Sequence, residues 1–327
     1  MLTNFSYIRP KSLKDAVKKL SSPGAGLHAG GTDLLGCLRD HVFELKTLVS
    51  ISGLRELKGI TAAANHGLRI GALTTVAEVA EHPLVNEQYG ALAQAARAVA
   101  SPQLRNQGTI GGNLCQKPRC WYYRGEFHCL RKGGKTCFAV TGENQYHCIL
   151  GGGPCFIVHP SDIAPALVAF DASIRVTGPT GSRSVPVEKF YVLPREDVRR
   201  ETVLGPGEIV TEIVLPAASG QRSTYRKVRT RASWDFALAG MALALGFHDG
   251  VVANARVVLS GAAPVPWRSR EIEAAITGKK LDPDIIAKAA EAALEGAQPL
   301  KENAYKITLF RGMIEEELAA IRQQSIS

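Results

Sequence analysis

Six of the seven cysteines of this 327-residue chain, Cys115, Cys120, Cys129, Cys137, Cys148 and Cys155, fall in one stretch of 41 residues; only Cys37 stands apart. So dense a group of thiols closes disulfides, holds metal, or stays free. Disulfides suit small secreted domains, whereas this chain is long, has an ordinary apolar content, and begins MLTNFSYIRPKSL without a signal-peptide core. A structural zinc site prefers close Cys-x(2–4)-Cys pairs, and the tightest spacing here is Cys115-x4-Cys120. Long, uneven gaps in a glycine-rich loop suit an iron–sulfur cluster, whose thiolates come from all round a cubane. On chemistry alone cluster, zinc and free thiols stay open.

A second chemistry lies in two glycine turns, Ala29-Gly30-Gly31-Thr32 and Thr109-Ile110-Gly111-Gly112-Asn113. Glycine lets backbone N–H groups approach an anion with no Cβ in the way, and the neighbouring threonine adds a donor. Two such turns point to a diphosphate held from both sides. Neither matches G-x-G-x-x-G or G-x(4)-G-K-[ST], so a standard Rossmann site or phosphate loop is not expected.

The elements that must position these groups read as follows. Apolar spacing predicts helices over 12–21, 76–81, 89–100, 283–296 and 302–321, and strands over 48–51, 68–73 and 207–216. The stretches 164–170 and 173–177 continue a core pattern, and 237–247 with 251–260 form a hairpin turned by Asp249-Gly250. Residues 115–159, with Gly133-Gly134 and Gly151-Gly152-Gly153, lack periodicity and read as a long functional loop. The turn-like AASGQRS segment divides the chain into domains 1–218 and 219–327.

Composition narrows the partners. The net charge is +9, but Lys and Arg are spread along the chain and aromatics make up only 6 %, so no nucleic-acid surface is expected. A basic chain instead suits docking on a more acidic protein. No apolar run approaches the roughly 18 residues needed to span a bilayer, and the expected compartment is the cytoplasm. Export with a signal-bearing partner would place the chain in the periplasm.

The segments LHAGGTDLL (27–35), TIGGNLCQ (109–116), HPSDIAPAL (159–167) and YRKVRTRASWDFALAG (225–240) resemble the flavoprotein subunit of the molybdenum hydroxylase family, in order and over essentially the whole chain. The resemblance implies an α+β chain: a vanillyl-alcohol-oxidase-type FAD domain of two α/β subdomains, then a smaller α+β C-terminal domain. It places one non-covalent FAD on Gly26, Leu27, His28, Ala29, Gly30, Gly31, Thr32, Asp33 and Leu34, and on Thr109, Ile110, Gly111, Gly112 and Asn113. It adds Arg119, Ser161 and Asp162, and puts Lys227 near the isoalloxazine. Two of these have bland alternatives: Asp162 as the cap of a helix starting at Ile163, and Lys227 as a solvated strand-edge cation. A branched side chain at Gly111 is expected to exclude the diphosphate.

The cysteine loop is similar to that of the periplasmic aldehyde oxidoreductase type, which implies a [4Fe-4S] cluster on Cys120, Cys129, Cys137 and Cys155. Cys115 and Cys148 are then spare, and Arg119, Arg124, Arg131, Lys132 and Lys135 offset the cluster's charge. By the same resemblance a large partner carries the molybdenum cofactor and a small partner two [2Fe-2S] clusters, whose electrons pass through FAD to an external acceptor. The alternatives are a 4-hydroxybenzoyl-CoA reductase subunit and a zinc-stabilised binding module without enzymatic function.

Overall fold

The computed structural model describes residues 2–63, 67–218 and 220–323; the expected domain limits Met1, Ser219 and Ser327 lie outside the described residues. Three short parallel strands open the chain: β1 (Ser6–Ile8), β2 (Ala25–His28) and β3 (Thr47–Ser50), in the order β1-β3-β2. The crossover between β1 and β2 is helix Leu13–Leu20, capped by the Ser12 hydroxyl, which accepts from Asp15 N at 3.2 Å. Ala16 and Val17 are its buried face. At the carboxyl end of β2 the chain enters the first glycine turn, the edge at which open α/β sheets bind ligands.

The second layer is antiparallel, built from β4 (Ile60–Ala62), β5 (Leu68–Gly71), β6 (Ser173–Gly178), β7 (Gly181–Pro186) and β8 (Ile209–Leu215) in the order β4-β5-β8-β6-β7. Helices Val76–Glu81, Gly90–Ala98 and Ile163–Ala169 share with it a core that includes Leu92, Ile110, Leu167, Ile174, Phe190 and Ile213. Thr75 opens the first of these with a reciprocal capping box to Glu78. The helix expected over 89–100 ends at Ala98, and a further helix, Pro83–Gln88, precedes it with proline at its first position.

The C-terminal part carries β9 (Arg222–Val228), β10 (Ala239–His248), β11 (Val251–Ser260) and β12 (Trp267–Arg268), in the order β12-β11-β10-β9. Asp249 and Gly250 both have positive φ, 51° and 76°, the signature of a type I′ hairpin turn. Strand β10 is apolar on both faces, and its period of two explains why. Met241, Leu243 and Leu245 meet helices Arg270–Ile276, Pro283–Ala292 and Tyr305–Gln323, while Ala242 and Ala244 join the core of the first part. The sheet is thus sandwiched between its own helices and helix Ile163–Ala169.

Residues 115–159 form the expected loop, with helical turns only at Trp121–Arg124, Leu130–Lys132 and Phe138–Val140. Among the described residues no helix is long and apolar enough to cross a membrane.

Candidate cofactor site

The two glycine turns meet edge to edge. Backbone bonds from Ile110 N to Thr74 O and from Gly111 N to Ala72 O, both 2.9 Å, fasten the second turn to the end of β5. The first turn docks on it through Gln107, whose Nε2 donates to Gly30 O at 3.1 Å. A Cβ at Gly30 would lie 2.1 Å from Gln107 O, so only glycine permits this approach. Gly31 has φ +74°, the left-handed conformation that turns the chain toward helix Leu34–Arg39.

Between the turns runs a cleft with two connected chambers, of about 330 and 600 Å³. Gly31, Thr32, Asp33, Thr109, Gly112 and Gln116 line both. Gly26, Leu27, Ala29, Gly30, Leu34 and Gly111 line the narrower chamber; Asn113, Arg119, Asp162 and Lys227 line the wider. Three expected residues lie behind the wall. His28 donates to or accepts from Ser50 Oγ at 3.2 Å and stacks edge-on with Tyr7, and burial lowers its pKa. Ile110 is fully buried in the core. Ser161 is 1 % exposed; its hydroxyl donates to Asn113 Oδ1 at 2.5 Å and accepts from Ala164 N at 3.0 Å.

The donors are unequal. Among the described residues the backbone N–H groups of Gly30, Gly31, Thr32 and Asp33 have no acceptor within the chain. Those of Ile110, Gly111, Gly112 and Asn113 are all satisfied, the third by Thr109 Oγ1 at 3.1 Å. The first turn thus offers unpaired backbone donors, and the second adds Thr109 N and the Asn113 amide beside the wider chamber. Unpartnered N–H groups of residues that line a channel fit an extended anionic cofactor.

At the wide end Asp162 and Lys227 pair at 2.8 Å, their side chains 6 % and 3 % exposed. Tyr225 also donates to Asp162, at 2.7 Å, and Lys227 donates to Ala98 O at 3.2 Å. Burial pushes the Asp162 carboxyl up, partly offset by Lys227 and Tyr225. Both bland alternatives are thereby corrected. Ser161, not Asp162, caps helix Ile163–Ala169, and Lys227 points inward because its charge finds a buried carboxylate. Tyr225 was missed, although its spacing of two from Lys227 puts both on one face of β9. Gln116, Trp234 and Phe236, also unexpected, complete the wide chamber.

The clustered thiols divide into two groups. Cys120, Cys129, Cys137 and Cys155 line a single small chamber with Tyr122, Tyr123, Arg131 and Phe138. Cys115 lies instead in the wall of the narrower chamber, and Cys148 is fully buried against Gly152. Burial pushes both of these thiols up to about 12. In the chamber the Cys137 thiol donates toward Cys155, lowering the pKa of Cys155 and raising that of Cys137; Arg131 also lowers Cys155. Arg131 Nη1 bonds Glu201 at 2.7 Å, while its Nε and Nη2 are buried with no oxygen or nitrogen partner. A buried guanidinium whose remaining donors face the sulfurs fits an anionic group among these four thiols. Among the described residues no group of three or more His, Cys, Asp or Glu side chains is placed to hold a metal ion.

The other loop cations go elsewhere, which corrects their expected role. Arg119 and Arg124 reach Asp33 of the first glycine turn, at 2.9 and 2.7 Å. Lys117 pairs with Glu201, Lys132 donates to Gly125 O, and Lys135 is exposed. Asp33 and Glu201 capture Arg119, Arg124 and Lys117, and a backbone carbonyl takes Lys132.

Residues 3–218 match the family model of the FAD binding domain in molybdopterin dehydrogenase, and 223–320 that of the CO dehydrogenase flavoprotein C-terminal domain. The chain belongs to the FAD-binding subunits of molybdopterin dehydrogenases. This flavin subunit is 35 % identical to the aldehyde oxidoreductase FAD-binding subunit PaoB of Escherichia coli (strain K12), over 98 % of this chain and 99 % of that protein. The carbon monoxide dehydrogenase medium chain of Hydrogenophaga pseudoflava is 29 % identical over 97 % of this chain and 96 % of its own. A solved carbon monoxide dehydrogenase from that organism superposes with a TM-score of 0.78 at 28 % identity, covering 98 % of this chain and 99 % of its own. The oxidoreductase class, the bound FAD and the α+β fold with a C-terminal domain follow from this membership.

Proposed function

We propose that this flavin subunit is the electron outlet of a three-subunit molybdenum hydroxylase acting on aldehydes. A large partner with the molybdenum cofactor oxidises the substrate. A small partner with [2Fe-2S] clusters relays the electrons to this chain, which delivers them to an external acceptor. Bound FAD supplies the step between one- and two-electron carriers; the chain supplies its seat. The N–H groups of Gly30 to Asp33 hold the diphosphate, Thr32 and Asn113 add side-chain donors, and Lys227 sets positive charge beside the flavin ring. The observation that carries this reading is the continuous cleft that starts at unpartnered N–H groups and ends at the buried Asp162–Lys227 pair. The aldehyde class rests on the 35 % identical relative, which is named an aldehyde oxidoreductase subunit.

The four-thiol chamber holds a [4Fe-4S] cluster on Cys120, Cys129, Cys137 and Cys155. The long, uneven gaps between the four cysteines that line this chamber suit a multi-iron cluster better than zinc, which prefers close Cys-x(2–4)-Cys pairs.

The test is iron, sulfide and FAD per chain in anaerobically purified protein. Ser substitution at Cys120, Cys129, Cys137 or Cys155 is expected to lower iron well below about four per chain, while Cys115→Ser and Cys148→Ser keep it. Acid precipitation is expected to release the flavin into the supernatant. Loss of the cluster in Cys148→Ser with retention in Cys155→Ser overturns the ligand set. Turnover of an aldehyde by the pure chain overturns the electron-transfer role.

A further inference from the structure

His147 is 5 % exposed and sits where the cysteine loop meets the C-terminal part. Its Nε2 lies 3.3 Å from Cys120 Sγ, across 27 residues of sequence. Its Nδ1 is buried beside the Asn144 backbone, with no partner of hydrogen-bond geometry. Of the two neutral tautomers, the one protonated on Nε2 turns the contact with the sulfur into an N–H···S hydrogen bond.

The ring is held from the far side. Asn303 Nδ2 donates to the carbonyls of His147 and Cys148, at 3.0 and 3.1 Å. Asn144 and Glu302 exchange two bonds: Asn144 N to Glu302 Oε2 at 3.0 Å and Glu302 N to Asn144 Oδ1 at 2.8 Å. Lys306, wholly buried, donates to Tyr146 O at 3.3 Å and to Gly261 O at 2.8 Å. Residues 302–306 therefore clamp 144–148 and fix the imidazole against one wall of the thiol chamber. Cys120 is the thiol that this clamp singles out.

We propose that His147 is a positioning residue whose Nε2–H donates to the Cys120 sulfur and raises the reduction potential of the cluster in that chamber. The inference rests on the [4Fe-4S] reading above. Adding an electron puts more negative charge on the cluster sulfurs, so a fixed N–H donor stabilises the reduced form more than the oxidised one.

The experiment is a potentiometric titration of the purified complex, following the paramagnetic signal of the reduced [4Fe-4S] cluster, with iron and sulfide per FAD measured on the same samples. His147→Leu removes the donor and is expected to keep the iron. Its cluster midpoint should fall by a factor of ten in the one-electron equilibrium, about 59 mV, while the flavin midpoint stays put. His147→Gln restores an N–H and should recover at least half of the shift. An unchanged cluster midpoint in His147→Leu overturns the proposal. Loss of iron in both variants also overturns it, since that makes His147 a ligand or a folding element. Absence of iron from the parent chain brings down the cluster reading itself, and this inference with it.

Discussion

Asp162 and Lys227 face each other at 2.8 Å, one at the start of helix Ile163–Ala169 and the other on β9, and neither side chain reaches solvent appreciably. The pair ties the two parts of the chain together at the wide end of the cleft. Breaking a buried ion pair by removing one partner leaves an uncompensated charge and costs about 3–5 kcal/mol.

Lys227→Met is therefore expected to destabilise the chain by about 3 kcal/mol at pH 8. The loss should shrink toward pH 5. Burial raises the Asp162 carboxyl above its ordinary value, so between the unfolded and folded pKa the folded chain binds more protons. Stability then falls as pH rises through that window. Removing Lys227 takes away an opposing influence, raises the carboxyl further and steepens the fall. Urea unfolding at pH 5 and 8 reads this directly. Adding Asp162→Asn should restore most of the stability; equal losses at both pH values would refute the account.

Gly111 and Gly112 separate packing from cofactor binding. A Cβ at Gly111 would meet Ala72 Cβ at 2.9 Å and Ala72 O at 3.0 Å, in the buried joint between the second turn and β5. A Cβ at Gly112 meets only Thr109 Oγ1, at 3.0 Å, and otherwise projects at the cleft. Gly111→Val is thus expected to lower stability by about 1–3 kcal/mol through overpacking, with FAD loss secondary. Gly112→Val should keep the apo chain's melting temperature within a few degrees and weaken FAD binding at least tenfold. Flavin titration beside thermal melts of the apo chains distinguishes the two. A stable Gly111→Val that binds no FAD would return to the simpler expectation that this Cβ blocks the diphosphate.

That contrast shows where sequence stops being legible. The glycine turns, the Asp249-Gly250 hairpin and the irregular cysteine loop are local demands on backbone conformation, and local residues announce them. Which glycine has room for a side chain depends on Ala72, 39 residues before Gly111, and which residue caps helix Ile163–Ala169 depends on Asp162 being claimed by Tyr225 and Lys227. The four cysteines that share a chamber were legible through a family-like spacing. The destinations of Arg119 and Arg124 were not, because a basic loop beside acidic turns has many pairings and only the fold selects one. Helix Arg270–Ile276 escaped for a related reason: its stripe is short, and its buried face, Ile272, Glu273 and Ile276, includes a carboxylate satisfied by Arg268.

Asp33 supplies the last prediction, because it joins the first glycine turn to the cysteine segment. Its Oδ1 accepts from Arg124 at 2.7 Å and pairs with Arg119 at 2.9 Å, while Oδ2 accepts from Lys117 N at 2.7 Å. One residue of the first glycine turn thus holds the entrance of the cysteine segment at three points. Asp33→Ala frees two cations and a backbone donor at once, and Arg119 Nε already lacks a partner. The expected result is coupled loosening. FAD affinity should drop about tenfold, near 1.4 kcal/mol, and amides of 117–124 should exchange faster in the metal-free chain. Where iron is present, a chelator should remove it several-fold faster, though no cysteine has changed. Asp33→Asn keeps an acceptor for Lys117 N but loses the charge, and should fall between. A variant that loses FAD affinity with unchanged exchange over 117–124 would show that the turn and the loop are merely adjacent. Faster exchange with unchanged FAD affinity would confine Asp33 to the loop and remove it from the cofactor seat.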